Sequence, residues 1–340
     1  MGSNADSSGK ARLHTAATVW NDSGGVGKTT ITINTAEALA EKGKDVLVID
    51  LDPQYGGLTD HAGYEAALQH PDYNIMDALL MPNRSLDDII VRGTEENNLP
   101  WDLITAHSDL EQFETRMASN LPLDEHQLIQ LRKAIGNSNI PYQYDCMLID
   151  CQASRGGLVA NSIAATNNVL IPTELSRKGV RSVDGLVDFV KTVERDLRQL
   201  DETSDSITTG IVSVVPNKAA KTGRLTKNEQ NSMETLLRNH LSVMPPFYVP
   251  SRTLLSEAWT EQMTLREYLR QDTTRDLRDN EKQLIDIFDI LAESVANGAI
   301  RNTEISEDII NVPSKIYNSA TQDMNENANS KAVHRGFNNA

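Results

Sequence analysis

Cysteine is nearly absent. Cys146 and Cys151 are the two in 340 residues, and neither sits in a CxxC spacing. A disulfide framework is excluded, and both read as small buried hydrophobes rather than reactive thiols. Aromatic residues make up only 5%. Basic residues are in deficit, 32 against 48 acidic, for a formal charge of −16. Such a surface repels DNA and anionic lipid on average, so any nucleic-acid contact needs a local basic patch. The acidity serves solubility, and a high-salt cytoplasm would suit it equally. No apolar run is long enough to cross a bilayer. The opening MGSNADSSGKARLH lacks the apolar stretch of a secretion signal and reads as a polar arm over 1–14.

What is present is an alternation of short apolar runs with amphipathic stretches. TAATVW (15–20) predicts a strand, and a helix follows from Thr29 to about Lys42, ended by Gly43. DVLVID (45–50) has almost no polar interruption, as a strand buried on both faces of a parallel sheet does. NIMDALL and SLDDIIV predict two short surface helices. WDLITAH (101–107) reads as a strand, and 108–118 and 123–135 as helices, the second with Leu128, Leu131 and Ile135 on one face. YDCMLID (144–150) is the next central strand, followed by a helix over 157–165. NVLIP (168–172) is a strand stopped by Pro172, and ITTGIVSVV (207–215) one broken by Pro216. Between them, 179–200 is a long amphipathic helix carrying Val183, Leu186, Val187, Val190 and Val193. Helices are also expected over 225–238, 253–258, 264–270 and 280–297. The pattern predicts an α/β fold with a mostly parallel central sheet and helices on both faces, one domain over 15–299. The polar residues 300–340 read as a weakly ordered tail.

The first strand and helix frame the segment Gly24-Gly25-Val26-Gly27-Lys28-Thr29-Thr30. The strict P-loop pattern G-x-x-x-x-G-K-[ST] fails at its first glycine, where Asp22 stands. Its right half is intact between a strand and a helix. Glycines let backbone N–H groups close around phosphate oxygens, and the helix start adds its positive end. Lys28 is expected on the terminal phosphates and Thr29 on Mg²⁺. Asp50 and Asp52 lie two apart at a strand tip, so one could orient water and the other support the metal. Asp150 closes a second apolar strand, the pattern of a carboxylate that holds Mg²⁺ directly or through water, though a strand-end Asp also serves as a turn former. These features predict a P-loop NTPase fold binding ATP and Mg²⁺.

In order, the chain reads SGGVGKTT, VIDLDPQYGGLT, LIDCQAS and TLLSEA. These segments resemble the ParA-type partition ATPases of the deviant-Walker-A family, over roughly residues 15–297. The resemblance implies a slow, partner-stimulated ATPase that forms a homodimer around two ATP molecules. It implies non-specific DNA binding, a centromere-binding adaptor protein as partner, and a cytoplasmic, nucleoid-associated location. Carried over, Lys28 and Thr29 match the phosphate and Mg²⁺ residues, Asp52 the water-orienting carboxylate and Asp150 the Walker B aspartate. Asn217 and Pro250 fall in loops that hold adenine in the family. The chain departs from the pattern where Ser23 replaces the signature lysine and where LIDCQAS lacks the two prolines of LIDCPPS.

In an acidic chain, basic clusters are informative. Arg177, Lys178 and Arg181 stand at the start of the long helix, and Lys218, Lys221, Arg224 and Lys227 follow Pro216. Both are expected to meet DNA phosphates without reading bases; the bland alternative is a solvated helix start and a charged loop. The helical stretch 281–299 is acidic, unlike the basic amphipathic helix of membrane-associated relatives, so no membrane partner is expected. Two other readings remain open: an ATP-gated DNA-binding scaffold that hydrolyses little, and a P-loop small-molecule kinase or ligase.

Overall fold

The computed structural model describes residues 13–54, 56–64, 72–81, 83–94, 99–120, 126–200, 208–221, 224–245, 247–272 and 274–298. Strand β1 (Thr15–Val19) leads through a glycine-rich turn into α1 (Lys28–Glu41) and β2 (Val46–Leu51). Then come α2 (Leu58–His61), α3 (Ile75–Leu80), β3 (Ile90–Val91), β4 (Asp102–Ile104), α4 (Phe113–Asn120), α5 (Gln130–Gly136) and α6 (Ile140–Gln143). The second half holds β5 (Cys146–Cys151), α7 (Gly157–Thr166), β6 (Asn168–Glu174), α8 (Arg177–Leu200), β7 (Gly210–Asn217), α9 (Lys227–His240), α10 (Thr253–Thr260), α11 (Leu265–Arg270) and α12 (Asp279–Ala296).

The strands form one sheet in the order β3-β4-β2-β5-β1-β6-β7, parallel except for the β3–β4 edge pair. Alternation along each strand divides the core into two layers. On β1, Ala17 and Val19 face the layer containing α1 and α12 residues such as Ile31 and Phe288. Ala16 and Trp20 face the layer built by α3, α5, α7, α8 and α9. The expected α/β architecture with helices on both faces is therefore present. At the sheet centre, Val19 pairs with Asp150, and Asp50 with Asp150, so β1, β2 and β5 end at one level and deliver their following loops to one place.

Several local expectations are corrected. Pro172 does not stop β6, and Pro216 does not break β7. The N and O of a strand residue point to the same side, so each carbonyl reveals where its proline nitrogen faces. The Pro172 carbonyl accepts from Asn21 Nδ2, beyond the end of β1, and the Pro216 carbonyl accepts from Val249 N on the outer edge of β7. Neither proline removes a ladder bond, which is why both are tolerated. SLDDIIV is not a helix: Leu86–Ile89 make one 3₁₀ turn, and Ile90–Val91 pair antiparallel to β4. WDLITAH contributes only Asp102–Ile104 to the sheet. The 123–135 helix begins outside the described residues and is a 3₁₀ turn followed by Gln130–Gly136. Helix α8 starts at Arg177, two residues early, because the Ser176 hydroxyl accepts from Gly179 N at 3.0 Å as its cap. Of the polar arm, Leu13 and His14 are described, and their N–H groups donate to the carbonyls of Pro141 and Asp145. The 300–340 segment lies outside the described residues.

Candidate nucleotide site

Between β1 and α1 the chain turns through Asn21–Gly27. Asn21 pins the turn, its Oδ1 accepting from Ser23 N and its Nδ2 donating to the Pro172 carbonyl, both at 2.8 Å. Gly27 has φ 90°, and a Cβ there would stand 2.2 Å from Asn217 Nδ2, so only glycine fits. Helix α1 then starts with no side-chain cap and no acidic residue in its first turn. Its orphan N–H groups and positive end stand beside a cleft of about 730 Å³ lined by Gly24, Gly25, Gly27, Lys28, Thr29 and Thr30. Val26 is buried; its carbonyl accepts from Asn217 Nδ2 at 2.9 Å. The Lys28 side chain folds back over the turn, with Nζ 3.4 Å from the Ser23 carbonyl.

Asp50 and Asp52 differ in setting. Asp50 is fully buried and accepts from Asp52 N, Thr59 N and Thr59 Oγ1, which fastens the 52–59 loop. Asp52 lies past the end of β2, lines the cleft, and accepts from Gln54 N at 3.1 Å. Burial raises its carboxyl from the ordinary range, against the pull of Lys28 and the Gln54 N–H. Asp150 is buried beneath the cleft. Thr32 Oγ1 donates to its Oδ1 at 3.0 Å, while Oδ2 has no hydrogen-bond partner among the described residues. Desolvation, then the facing Asp50, pushes the Asp150 carboxyl up, with Thr29, Lys28 and Thr32 opposing. A buried carboxylate with one oxygen unpaired among the described residues, and with the Thr29 hydroxyl acting on the same group, fits a small hard cation. Among the described residues no cluster of three or more His, Cys, Asp or Glu could hold a metal unaided. A Mg²⁺ ion here would complete its shell from phosphate and water, as Mg²⁺ commonly does.

The departures from the family pattern have structural counterparts. Asp22 is compensated: its Oδ2 accepts from Arg155 Nε at 2.7 Å and from Arg155 Nη2 at 2.6 Å, and its Oδ1 accepts from Ser182 Oγ at 2.8 Å. The guanidinium packs over Gly185 of α8, where a Cβ would lie 2.9 Å from it. Trp20 Nε1 donates to the Ser154 carbonyl at 2.8 Å, and its ring packs on Phe189 with centroids 5.1 Å apart. These contacts hold the loop after β5 where the family has two prolines.

The expected basic residues divide. Arg177, Lys178 and Arg181 are exposed on the first turns of α8, and Arg224 is exposed ahead of α9. Lys218 and Lys221 instead line the nucleotide cleft, and Lys218 Nζ donates to the Gly25 carbonyl. Asn217 and Pro250 also line it, joined through the Ala219–Pro250 bridge. Sequence reasoning missed Arg252, Leu255, Ser256 and Trp259 as lining residues. The TLLSEA segment marked two of them without saying which side chains face inward; Trp259 carries no signal.

The AAA domain family model matches residues 15–203, more than half of the chain. The sporulation initiation inhibitor protein Soj of Bacillus subtilis is 32% identical over 180 residues, 53% of this chain and 66% of its own length. The probable plasmid-partitioning protein ParA of Thermus thermophilus is 33% identical over 192 residues, 56% of this chain and 54% of its own. The chain spans about half the length of the first curated relatives it matches, uncharacterised proteins of Mycobacterium tuberculosis (36% identical, 51% of each chain). An ATP complex of Cyanothece McdA has the same fold, with TM-score 0.65 over 87% of this chain and all of that one at 20% identity. With more than half of its length inside one family model, the chain belongs to the AAA domain family, of the ParA type.

Proposed function

We propose that the chain is an ATP-driven partition protein. It binds ATP with Mg²⁺, hydrolyses it slowly, forms a homodimer with ATP and then holds DNA without sequence preference, under the control of a centromere-binding adaptor. The observation that carries this reading is the uncapped start of α1 beside Lys28, facing Asp52 across a cleft that also contains Lys218, Lys221 and Arg252. In a chain of charge −16, a cleft whose described lining holds four cations and one carboxylate is suited to a polyanion.

The chain's residues have separable roles. Backbone N–H groups of the Gly24–Thr29 turn and the Lys28 ammonium hold the phosphates. Thr29 and Asp150 would hold Mg²⁺, which when bound offsets charge on the phosphate oxygens. Asp52, which lines the cleft on the side of Lys28, orients the attacking water. The cytoplasmic, nucleoid-associated location follows from DNA binding; no described helix is long and apolar enough to cross a membrane.

Equilibrium binding of ATP to wild type and Lys28→Ala tests the reading. Removing the ammonium of Lys28, a residue 7% exposed, from the phosphate turn is expected to abolish measurable binding. Unchanged affinity in the variant would remove the site assignment, and with it the proposed function.

A further inference from the structure

Helix α10 forms one long side of the nucleotide cleft. Leu255, Ser256, Trp259 and Thr260 stand on one face of it, at helical spacing, and all four line the cleft. Its eight residues give this side a length of about 12 Å. The chain just ahead of α10 is fixed to the loop after β7 by the Ala219–Pro250 bridge, with Ser251 N donating to the Ala219 carbonyl at 2.7 Å. The far end shares the cleft with the loop that carries Asp52, where Gln54, Gly56 and Gly57 are also lining residues.

Two contacts tie that far end to α2. The Trp259 indole stacks on the His61 imidazole, with centroids 4.3 Å apart and planes 17° from parallel. Gln262 Nε2 donates to the Asp60 carbonyl at 2.9 Å. Gln262 has φ 55°, a left-handed conformation that glycine takes more easily just past a helix end. Glutamine gives up that ease and supplies the side chain that grips α2. The imidazole is buried, and neither of its nitrogens has a hydrogen-bond partner among the described residues. Burial, against the nearby backbone of Trp259 and Met263, pushes its pKa down to about 4, so the ring is neutral at neutral pH. What it offers Trp259 is a flat, uncharged face.

Helix α2 is in turn part of the Asp52 loop. His61 N donates to the Gly57 carbonyl at 3.0 Å and closes the turn. Two residues earlier, Thr59 donates through N and Oγ1 to the Asp50 carboxylate, which also accepts from Asp52 N at 2.9 Å. Asp52 is thus held from the sheet by Asp50 and from α10 through His61. We infer that His61 is a positioning residue for hydrolysis: its stack on Trp259 closes the cleft wall onto the Asp52 loop, which fixes Asp52 against the attacking water and keeps bulk water out. A reacting group displaced by about 1 Å can lose about 100-fold in rate. The phosphates are held elsewhere, by the Gly24–Thr29 turn and Lys28, so loss of the stack shows in turnover and not in binding. This inference rests on the ATPase reading above, with Asp52 orienting water.

The test is single-turnover hydrolysis at saturating ATP, with equilibrium ATP binding alongside. The proteins are wild type, Asp52→Ala, His61→Ala, His61→Phe, Trp259→Ala and the double variant His61→Ala with Trp259→Ala. His61→Ala is expected to hydrolyse at least tenfold more slowly, with ATP affinity within threefold of wild type. His61→Phe keeps a flat ring and should stay within twofold in rate. Trp259→Ala removes a partly exposed ring and carries the same expectation as His61→Ala, so the test stands even where the buried substitution does not fold. The double variant should be no more than twofold slower than the slower single one, because two residues that act through one stack are not additive. Wild-type rates in the alanine variants would overturn the inference, as would rate and affinity falling in parallel. His61→Phe as slow as His61→Ala would assign the effect to the imidazole nitrogens, and losses that multiply in the double variant would separate His61 from Trp259; either result overturns it. Failure of wild type to bind or hydrolyse ATP, or a wild-type rate in Asp52→Ala, would instead refute the underlying reading.

Discussion

Asp50 and Asp52 are two positions apart in one motif, and burial separates their roles. Asp50 spends its lone pairs on Thr59 and the Asp52 N–H, while Asp52 keeps an oxygen toward the cleft. Asp52→Ala is therefore expected to keep ATP affinity within a few-fold while slowing phosphate release by about 100-fold or more, a typical loss for a positioned proton acceptor. Steady-state phosphate release at wild-type rate would reject the role. His61 permits a stability prediction. It is 6% exposed, its ring is stacked on Trp259 at 4.3 Å, and burial pushes its pKa down to about 4. The unfolded chain, with an ordinary imidazole near 6.5, takes up the proton first as pH falls. The neutral ring thus contributes stability that is fully present above about 6.5 and is lost as pH falls toward 4. Relative to His61→Phe, wild type should lose up to about 3 kcal/mol between pH 7 and pH 4 in urea denaturation. A pH-independent difference between the two would exclude titration of His61 as a source of acid lability. At this scale Lys28, Thr29 and Asp52 were legible as residues of one cleft, because the motif spacing places them after the ends of β1 and β2. Lys218 and Lys221 were legible as cations but not as cleft residues. The face their loop presents is set by a bridge to Pro250, thirty residues away in sequence.

Elements were read well where periodicity was long and poorly where a neighbour decided the outcome. The runs of β1, β2 and β5 are buried throughout because both faces are covered, and α8 buries Val183, Leu186, Val190, Val193 and Leu197 along one stripe. Proline gave the wrong ends for β6 and β7, since sequence cannot tell which side of a strand lacks a partner. The loop after β5 could not be read either, because its support comes from Trp20, Asp22 and Ser182 on other elements. That support makes a prediction. Arg155 is 43% exposed in its side chain and Asp22 21%, so the pair itself contributes little to stability, about 1 kcal/mol or less. Its larger effect is electrostatic: Arg155 neutralises a carboxylate at the start of the phosphate turn. Arg155→Ala should weaken ATP binding several-fold by leaving Asp22 charged beside the phosphates. Asp22→Asn combined with Arg155→Ala should return affinity toward wild type. Titration of both variants with ATP decides it; a double variant as weak as the single one would mean that Arg155 acts on the nucleotide itself. The Ser23 carbonyl lies 3.4 Å from Lys28 Nζ and its hydroxyl 3.5 Å from Asp22 Oδ1, so Ser23→Lys would introduce an ammonium that competes with Arg155 for Asp22.

For the whole molecule the question is how a chain of charge −16 could hold DNA at all. A diffuse negative field opposes approach, and salt screens it with a Debye length of about 8 Å at physiological ionic strength. Attraction must therefore come from a patch that acts at contact. Helix α8 supplies one with a telling placement. Arg177 and Lys178 open the helix and Arg181 follows, with no acidic residue in the first turn. Cations at a helix start oppose the macrodipole, by about 0.3–1 kcal/mol each, so helix stability does not account for them there. An external polyanion would reverse that balance, since the helix start and three cations would act on it together. The triple variant Arg177→Ala, Lys178→Ala, Arg181→Ala is expected to weaken ATP-dependent DNA binding and to make its dependence on salt shallower by up to about three phosphate contacts. Net charge is the confounding factor, because any three lost cations make the protein more negative. A control triple with Lys191, Arg238 and Lys282 replaced by Ala changes the total equally while leaving the start of α8 intact; all three side chains are exposed. The α8 triple should lose at least tenfold in affinity at about 0.1 M salt, with the control within twofold of wild type. AT-rich and GC-rich duplexes should be affected alike, because phosphate contacts carry no base information. If both triples lose equally, the long-range field governs binding and α8 is not the contact. If only one duplex sequence is affected, the helix reads bases, and binding is no longer indifferent to sequence.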